Sequence, residues 1–283
     1  MAVKAVQQIM LGSITGTEAK AKTTLSEIKK AGFDGIELNG FMIRPTSFMV
    51  RMLTKAAGMP TGKGGKLNWK ELVDQSGLIV PSIHEDLGGI ERDPDAIIKE
   101  AEEYKTKNIV ITGMYRFDYS DQNAMTDLTK RLNAAGKRLK EGGITLLYHN
   151  HNCEFRKLPS GCTAYDFLIS ETDRDYVSFE FDSYWPAEAG VPVLETMKKL
   201  GDRMKLYHIN DRGTRVEGAS MTPILKSDSM ELGYGNMPLK ELTKQALSVG
   251  VDAVILESHK NWIEKSPIAS LKMSSAFLKE NVK

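Results

Sequence analysis

A chain of 283 residues with 38 basic and 37 acidic side chains, formal charge +1, shows no electrostatic footprint for nucleic acid, which normally appears as a basic stripe. Its two cysteines, Cys153 and Cys162, are too few for a disulfide framework and fit a reducing compartment. No run reaches the ~20 apolar residues of a membrane span, and the opening stretch MAVKAVQQIMLGSIT lacks the apolar core of a signal peptide. The expectation is a soluble, cytoplasmic chain with no membrane and no nucleic-acid partner.

Val6 to Leu11 reads as a short apolar strand. Glu18 to Ala31 follows as a helix stopped by Gly32, and Gly35 to Asn39 as a second strand ending on polar groups. Pro45 to Ala57 has a helix pattern with a Pro start and a Gly58 stop. TGKGGK at 61–66 lacks the GxxxxGK[ST] spacing of a phosphate-cradling loop and reads as a connection. Trp69 to Ser76 is a short helix, and Leu78 to Ile83 a third strand running into His84, Glu85 and Asp86. Asp95 to Lys105 is a helix behind the cap pair Asp93-Pro94. Asn108 to Thr112 is the fourth strand, and Asp121 to Glu141 a long helix closed by Gly142-Gly143.

The apolar run Ile144 to Leu147 opens the fifth strand, with a helix from Ala164 to Ser170 behind it. Val177 to Asp182 is the sixth strand, Pro192 to Leu200 its helix, and Met204 to Ile209 the seventh strand. A polar loop at 212–237 is too long for an idle connection in a compact domain. Leu239 to Val249, Ala253 to Leu256 and Pro267 to Lys279 complete the pattern as helix, eighth strand and helix. Eight strand-then-helix units with no composition break, and no GxGxxG after the first strand, predict a single-domain α/β fold, a (β/α)8 barrel, over residues 1–283.

In such barrels the chemistry sits at the C-terminal ends of the strands. All five histidines, His84, His149, His151, His208 and His259, fall at or just past a predicted strand end. Glu85, Glu154, Asp182 and Glu257 join them at that level. The densest stretch is YHNHNCEF at 148–155, where His149, Asn150, His151 and Glu154 crowd together, a composition hard to bury unless the groups are paired. In SFEFD, period-two geometry puts Glu180 and Asp182 on one face. Two inward acids need a cation or donors to balance them. A divalent metal on Asp182, Glu257, His208 and one strand-five group would do so; mixed N/O ligation suits Mn²⁺, Zn²⁺ or Co²⁺, and more oxygen favours Mg²⁺ or Mn²⁺. Each residue also has a plainer reading: Asp182 as a turn cap, His208 as a satisfied core histidine, Glu257 as an ion-pair partner of Lys260 or Arg212. At a barrel mouth Trp185 offers an aromatic wall for a sugar.

With these residues assembled, the sequence resembles the xylose isomerase-like barrels of the sugar phosphate isomerase/epimerase family over essentially its whole length. The resemblance rests on YHNHNCEF at 148–155, FEFDSYW at 179–185, YHIND at 207–211 and ILES at 255–258. It implies one divalent metal, Mn²⁺ first, held from strands five to eight. Asp182, His208 and Glu257 match the last three positions. The family's common glutamate on strand five itself is absent: register favours His149 there and charge favours Glu154, with Glu154 slightly preferred. The implied catalytic groups are His149, His151, Glu154 and Glu257. Substrate-binding groups are His84, Glu85, Asn150 and Trp185, with Arg212 or Arg215 in the place of the family's anchoring arginine.

The implied reaction is proton abstraction beside a sugar carbonyl, giving isomerisation or epimerisation on a small carbohydrate. The same enolate can expel a β-substituent. The YHNH-type strand five also resembles enzymes that cleave 3-oxo-glycosides, including C-glycoside deglycosidases, whose catalytic subunit works with a small β-rich partner. On that reading the 212–237 loop is a docking or lid segment; a homo-oligomer is the other arrangement considered. A trinuclear-zinc endonuclease needs more ligands and a basic face, and a metal-free sugar-binding protein would hold no stoichiometric metal. The absence of a clear phosphate-binding glycine loop after strands seven and eight points to a non-phosphorylated substrate.

Overall fold

The computed structural model describes residues 1–45, 52, 66–215 and 218–283. In chain order the strands are β1 (Val3–Gln7), β2 (Gly35–Asn39), β3 (Ile83–Glu85), β4 (Asn108–Thr112), β5 (Thr145–His149), β6 (Val177–Asp182), β7 (Met204–Ile209), β8 (Asp211–Gly213), β9 (Asp228–Met230) and β10 (Ala253–Leu256). β1 to β7 and β10 close into a parallel barrel in the order β1-β10-β7-β6-β5-β4-β3-β2, while β8 and β9 form a separate antiparallel ribbon. This is the expected (β/α)8 architecture.

Local sequence explains the returning helices. Glu18–Ala31 starts where the Thr17 hydroxyl accepts from Lys20 N and stops at Gly32, whose φ of 95° only glycine adopts freely. Pro94–Glu103 starts on the Asp93 cap with Pro94 in its first turn, where the missing N–H costs nothing. Ala164–Glu171, Val193–Leu200, Leu239–Ser248 and Pro267–Asn281 cover the later strands.

The period of two along each strand sorts side chains into two shells. Outward residues such as Ile36, Ile83, Ile109, Tyr148, Phe179, Tyr207 and Val254 join one large core with the helices. Inward residues Ala5, Val110, Leu147, Leu206, Ala253 and Ile255 form a separate apolar plug in the lower barrel. Two residues further along the same strands, the same parity delivers His149 above Leu147, His208 above Leu206 and Glu257 above Ile255. An apolar floor with a polar layer on top of it, at the C-terminal end, follows from alternation alone.

Several boundaries differ from the sequence reading. The first strand is Val3–Gln7 rather than Val6–Leu11: the Gln7 side chain accepts from Ile9 N and turns Gln8–Leu11 into a 3₁₀ segment. The third is Ile83–Glu85 rather than Leu78–Ile83, because Pro81 has no N–H to give a ladder. Only the Gly35–Ile79 bridge survives upstream. Short helices at Leu87–Arg92 and Tyr184–Glu188 were not foreseen. Within 212–237, β8 and β9 pair, and the Asp211 carboxylate accepts from Gly233, Gly235 and Met237 N. The helix expected at Pro45 to Ala57 and the 61–66 connection fall largely outside the described residues. Among the described residues no helix is long and apolar enough to cross a membrane.

Candidate active site

Strand register sets the site at one level. His149 of β5 lies opposite Glu180 of β6, Asp182 opposite His208 of β7, and His208 opposite Ile255 of β10, two residues before Glu257. His149, Asp182, His208 and Glu257 each bring one ligand atom within 4.8 Å of the others, all buried. The His208 Nδ1 is 3.0 Å from Glu257 Oε2 and 4.0 Å from Asp182 Oδ2. The His149 Nδ1 faces Glu180 Oε2 at 3.0 Å, which fixes the ring and leaves Nε2 as its free donor atom.

Beneath and beside this set lies a second group. Glu37 of β2, His84 of β3 and Glu180 gather around the other nitrogen of His208. His208 Nε2 is 2.7 Å from Glu37 Oε2 and 3.2 Å from Glu180 Oε2; His84 Nε2 is 3.1 and 2.9 Å from the same two oxygens. Glu37 also accepts from the Ser82 hydroxyl. Glu37, Glu180 and His208 are fully shielded from solvent.

So much buried charge shifts several protonation equilibria. Burial and the nearby Glu257 push the Asp182 carboxyl up to about 6, against the pull of His149 and His208. Burial would raise Glu180 and Glu257 too. The His208 and His84 charges hold Glu180 well below the usual carboxylate range, and His259 and His208 do the same for Glu257. Burial would lower His84, yet Glu37 and Glu180 push it up to about 10; His208 is likewise held well above its ordinary value. The protein's own groups thus balance four buried carboxylates by drawing protons onto histidine. A divalent cation does the same without protons, and a mixed set of two imidazoles and two carboxylates suits one.

Glu154 is not brought to this set. Tyr148 points outward from β5, and Glu154 sits behind the strand on that side, fully buried. Its Oε1 accepts from Tyr148 Oη at 2.9 Å, and its Oε2 from His151 N at 2.9 Å and Cys153 Sγ at 3.2 Å. His149, the inward neighbour, is the strand-five group brought next to Asp182, His208 and Glu257. Register sets which side of the barrel wall a side chain reaches, and it puts Glu154, the group that charge favoured, away from the other three.

The other expected residues divide. His151, half-buried, stands between His149 and Trp185, with ring centroids 5.0 and 5.6 Å away. Burial, then the His149 charge, lowers it to about 3, so it is neutral at pH 7. Trp185 continues the wall to His259 at 6.0 Å, and its indole N–H is buried without a partner. Beyond His259 a cavity of about 550 Å³ is lined by Arg215, Lys260, Trp262 and Lys265. Asn150, expected to bind substrate, spends its amide on the Asp182 backbone, donating to Asp182 O at 3.0 Å and accepting from Asp182 N at 3.1 Å. Arg212 pairs with Glu188 at 2.6 Å, and Arg215 with Glu231. Glu85 is held by Arg44, and burial pushes it up to about 7. Glu37 was missed altogether. The one signal was an acid inside the apolar strand GIELN, and its partner His208 is 171 residues away.

Comparisons with known proteins agree with this architecture. A family model described as xylose isomerase-like TIM barrel matches residues 25–281. An inosose dehydratase of Mesomycoplasma hyopneumoniae is 27% identical over 132 residues, 46% of this chain and 38% of that protein. The chain therefore spans well under half the length of this curated relative. A sugar phosphate isomerase/epimerase from Parabacteroides distasonis superposes with a TM-score of 0.76 at 22% identity, covering 98% of this chain and 93% of the other. The 3-keto-D-glucoside 4-epimerase of E. coli superposes with a TM-score of 0.66 at 16% identity, covering 99% and 100%.

Proposed function

The chain belongs to the xylose isomerase-like TIM barrel family, and from that premise we propose that it is a divalent-metal-dependent carbohydrate isomerase or epimerase that moves a proton beside a sugar carbonyl. The observation that carries the reading is the convergence of His149, Asp182, His208 and Glu257 from β5, β6, β7 and the end of β10 onto one buried point. These four are the proposed metal ligands. When bound, the cation, Mn²⁺ by preference with Zn²⁺, Co²⁺ or Mg²⁺ as substitutes, supplies Lewis-acid stabilisation of negative charge developing on the carbonyl oxygen.

The remaining chemistry belongs to side chains. The wall of His151, Trp185 and His259 takes the face of the sugar. Neutral His151 donates a hydrogen bond to a substrate oxygen and accepts a proton without first losing one. Glu257, with His259 Nε2 at 3.7 Å from its Oε2, is its partner in removing and returning the α-proton. His149 serves by holding geometry, anchored by Glu180. Glu154, which resemblance had placed in the proton-moving pair, positions His151 through the His151 backbone N–H instead.

Elimination is the second reading. The names of the inosose dehydratase relative and of the 3-keto-D-glucoside 4-epimerase fold neighbour both fit a carbanion beside a ketone, the common intermediate of epimerisation and β-elimination. The test is incubation of the Mn²⁺-loaded chain with keto sugars, cyclic polyol ketones and 3-oxo-glycosides. An epimer or isomer supports the first reading and an unsaturated product with a released hydroxyl or aglycone the second. If the isolated chain turns over 3-oxo-glycosides only with a small added subunit, the deglycosidase form of the lyase holds. Turnover unaffected by chelator rejects the metal-dependent mechanism.

A further inference from the structure

Glu37, His84, Glu180 and His208 form a second closed ring of ligand atoms, which shares only the His208 imidazole with the proposed mouth set. Around the ring, from Glu37 Oε2 to His84 Nε2 to Glu180 Oε2 to His208 Nε2 and back, the edges are 3.1, 2.9, 3.2 and 2.7 Å. Taken as flat and square, a four-sided ring with edges of this length has its centre about 2.1 Å from each corner, the length of a Zn–N or Zn–O bond. Edges of this length match those between neighbouring ligands of an octahedral cation.

A second, independent observation concerns direction. His84 Nε2 lies within hydrogen-bond distance of two carboxylate oxygens, yet it is a buried atom with no hydrogen-bond partner, because its ring axis points at neither. The Glu180 Oε1 is also buried without a partner. Orphaned polar atoms in a native core require an explanation, and a cation between the two carboxylates gives His84 one. Charge agrees: Glu37, Glu180, Asp182 and Glu257 are all buried, and one dication at the mouth neutralises two of the four.

We propose that Glu37, His84, Glu180 and His208 are a second divalent-cation site, deeper in the barrel and joined to the first through the His208 ring. Nδ1 of His208 would serve the mouth and Nε2 the deep site, so loading both sites releases both ring protons of His208, and loading the deep site also releases the Nε2 proton of His84, all to solvent. The carboxylate of Glu180 ties the sites together a second way, since its Oε2 also holds His149 Nδ1. The deep cation orders the histidines that hold the first. The inference rests on the mouth set of the proposed function only through the shared His208.

The test is anomalous diffraction from crystals of the full chain loaded with Mn²⁺, with native mass spectrometry of the same sample. The expected result is two peaks, one on each side of the His208 ring, and two equivalents of Mn²⁺. His84→Ala is expected to keep the mouth peak and fall to one equivalent, and Asp182→Asn to keep the deep peak. A single wild-type peak at the mouth, with one equivalent, overturns the second site and leaves the proposed function standing. A peak at the deep ring alone supports this inference and overturns the mouth metal. No peak at either overturns both.

Discussion

Replacing Glu154 with glutamine separates a ligand from a structural anchor. The carboxylate accepts from Tyr148 Oη and His151 N, both at 2.9 Å, and from Cys153 Sγ at 3.2 Å. Glutamine is close to isosteric. Its carbonyl oxygen must keep His151 N, a fixed donor, so its NH₂ turns to Tyr148, whose hydroxyl can rotate to accept. What disappears is charge assistance, worth about 1.5–3 kcal/mol per bond against about 0.5–1.5 for a neutral one, so over the Tyr148 and His151 bonds the net loss is about 2–3 kcal/mol. For a domain of this size that is a fall in Tm of about 4–6 °C. Glu154→Ala strands all three donors around a cavity and should cost about 3–5 kcal/mol. The assay is thermal unfolding by circular dichroism, paired with metal content by mass spectrometry. Glu154→Gln is expected to lose stability and keep its metal complement. An unchanged Tm with one equivalent of metal lost would show that Glu154 is a ligand and that the register argument is wrong.

His149→Ala removes a ligand, so metal affinity is expected to fall by more than the about 10–100-fold that loss of an outer-shell partner costs; titration calorimetry measures it. Gly136→Ala tests the packing of the long helix Gln122–Glu141. Alanine normally gains about 1 kcal/mol over glycine inside a helix, but here the added Cβ would sit 2.2 Å from Tyr176 O. Overpacking of about 1–3 kcal/mol should win, and a raised Tm would contradict the packing. His151 sets a pH dependence: its folded value, about 3, lies below its ordinary 6.5. Its contribution is fully present above pH 6.5 and lost as pH falls towards 3, since only the unfolded chain takes the proton in that window. Unfolding scans of His151→Gln should therefore show a shallower loss of Tm below pH 6.5 than wild type, and parallel curves would remove His151 from this role.

The barrel, and the side chains that gather in the candidate site, were legible in the sequence because both follow from strand parity. SFEFD puts Glu180 and Asp182 on one face whatever the rest of the chain does, and His149, His208 and Glu257 mark the ends of their own strands. What could not be read were partners made by closure. Glu37 looks like one acid in a short strand until β2 returns to face His208 across the barrel. Asn150 and Glu154 looked reactive because they neighbour His149 in sequence, but one is stitched to the Asp182 backbone and the other stands behind the wall. Counting ligands near one another along the chain overlooks that a strand has two sides. The ribbon of β8 and β9 was equally hidden, since its pairing depends on Asp211 gathering backbone N–H groups from residues 233 to 237.

The most direct test of proton transfer at the His149, Asp182, His208 and Glu257 set is solvent exchange. The Mn²⁺-loaded chain is incubated with a panel of keto sugars and 3-oxo-glycosides in D₂O, quenched, freed of metal and followed by proton NMR at the carbon beside the carbonyl. The account predicts deuterium uptake at that carbon on at least one ketone, abolished by chelator and by Asp182→Asn. Uptake that persists in Asp182→Asn, or no uptake on any ketone with metal bound at the site, would contradict it.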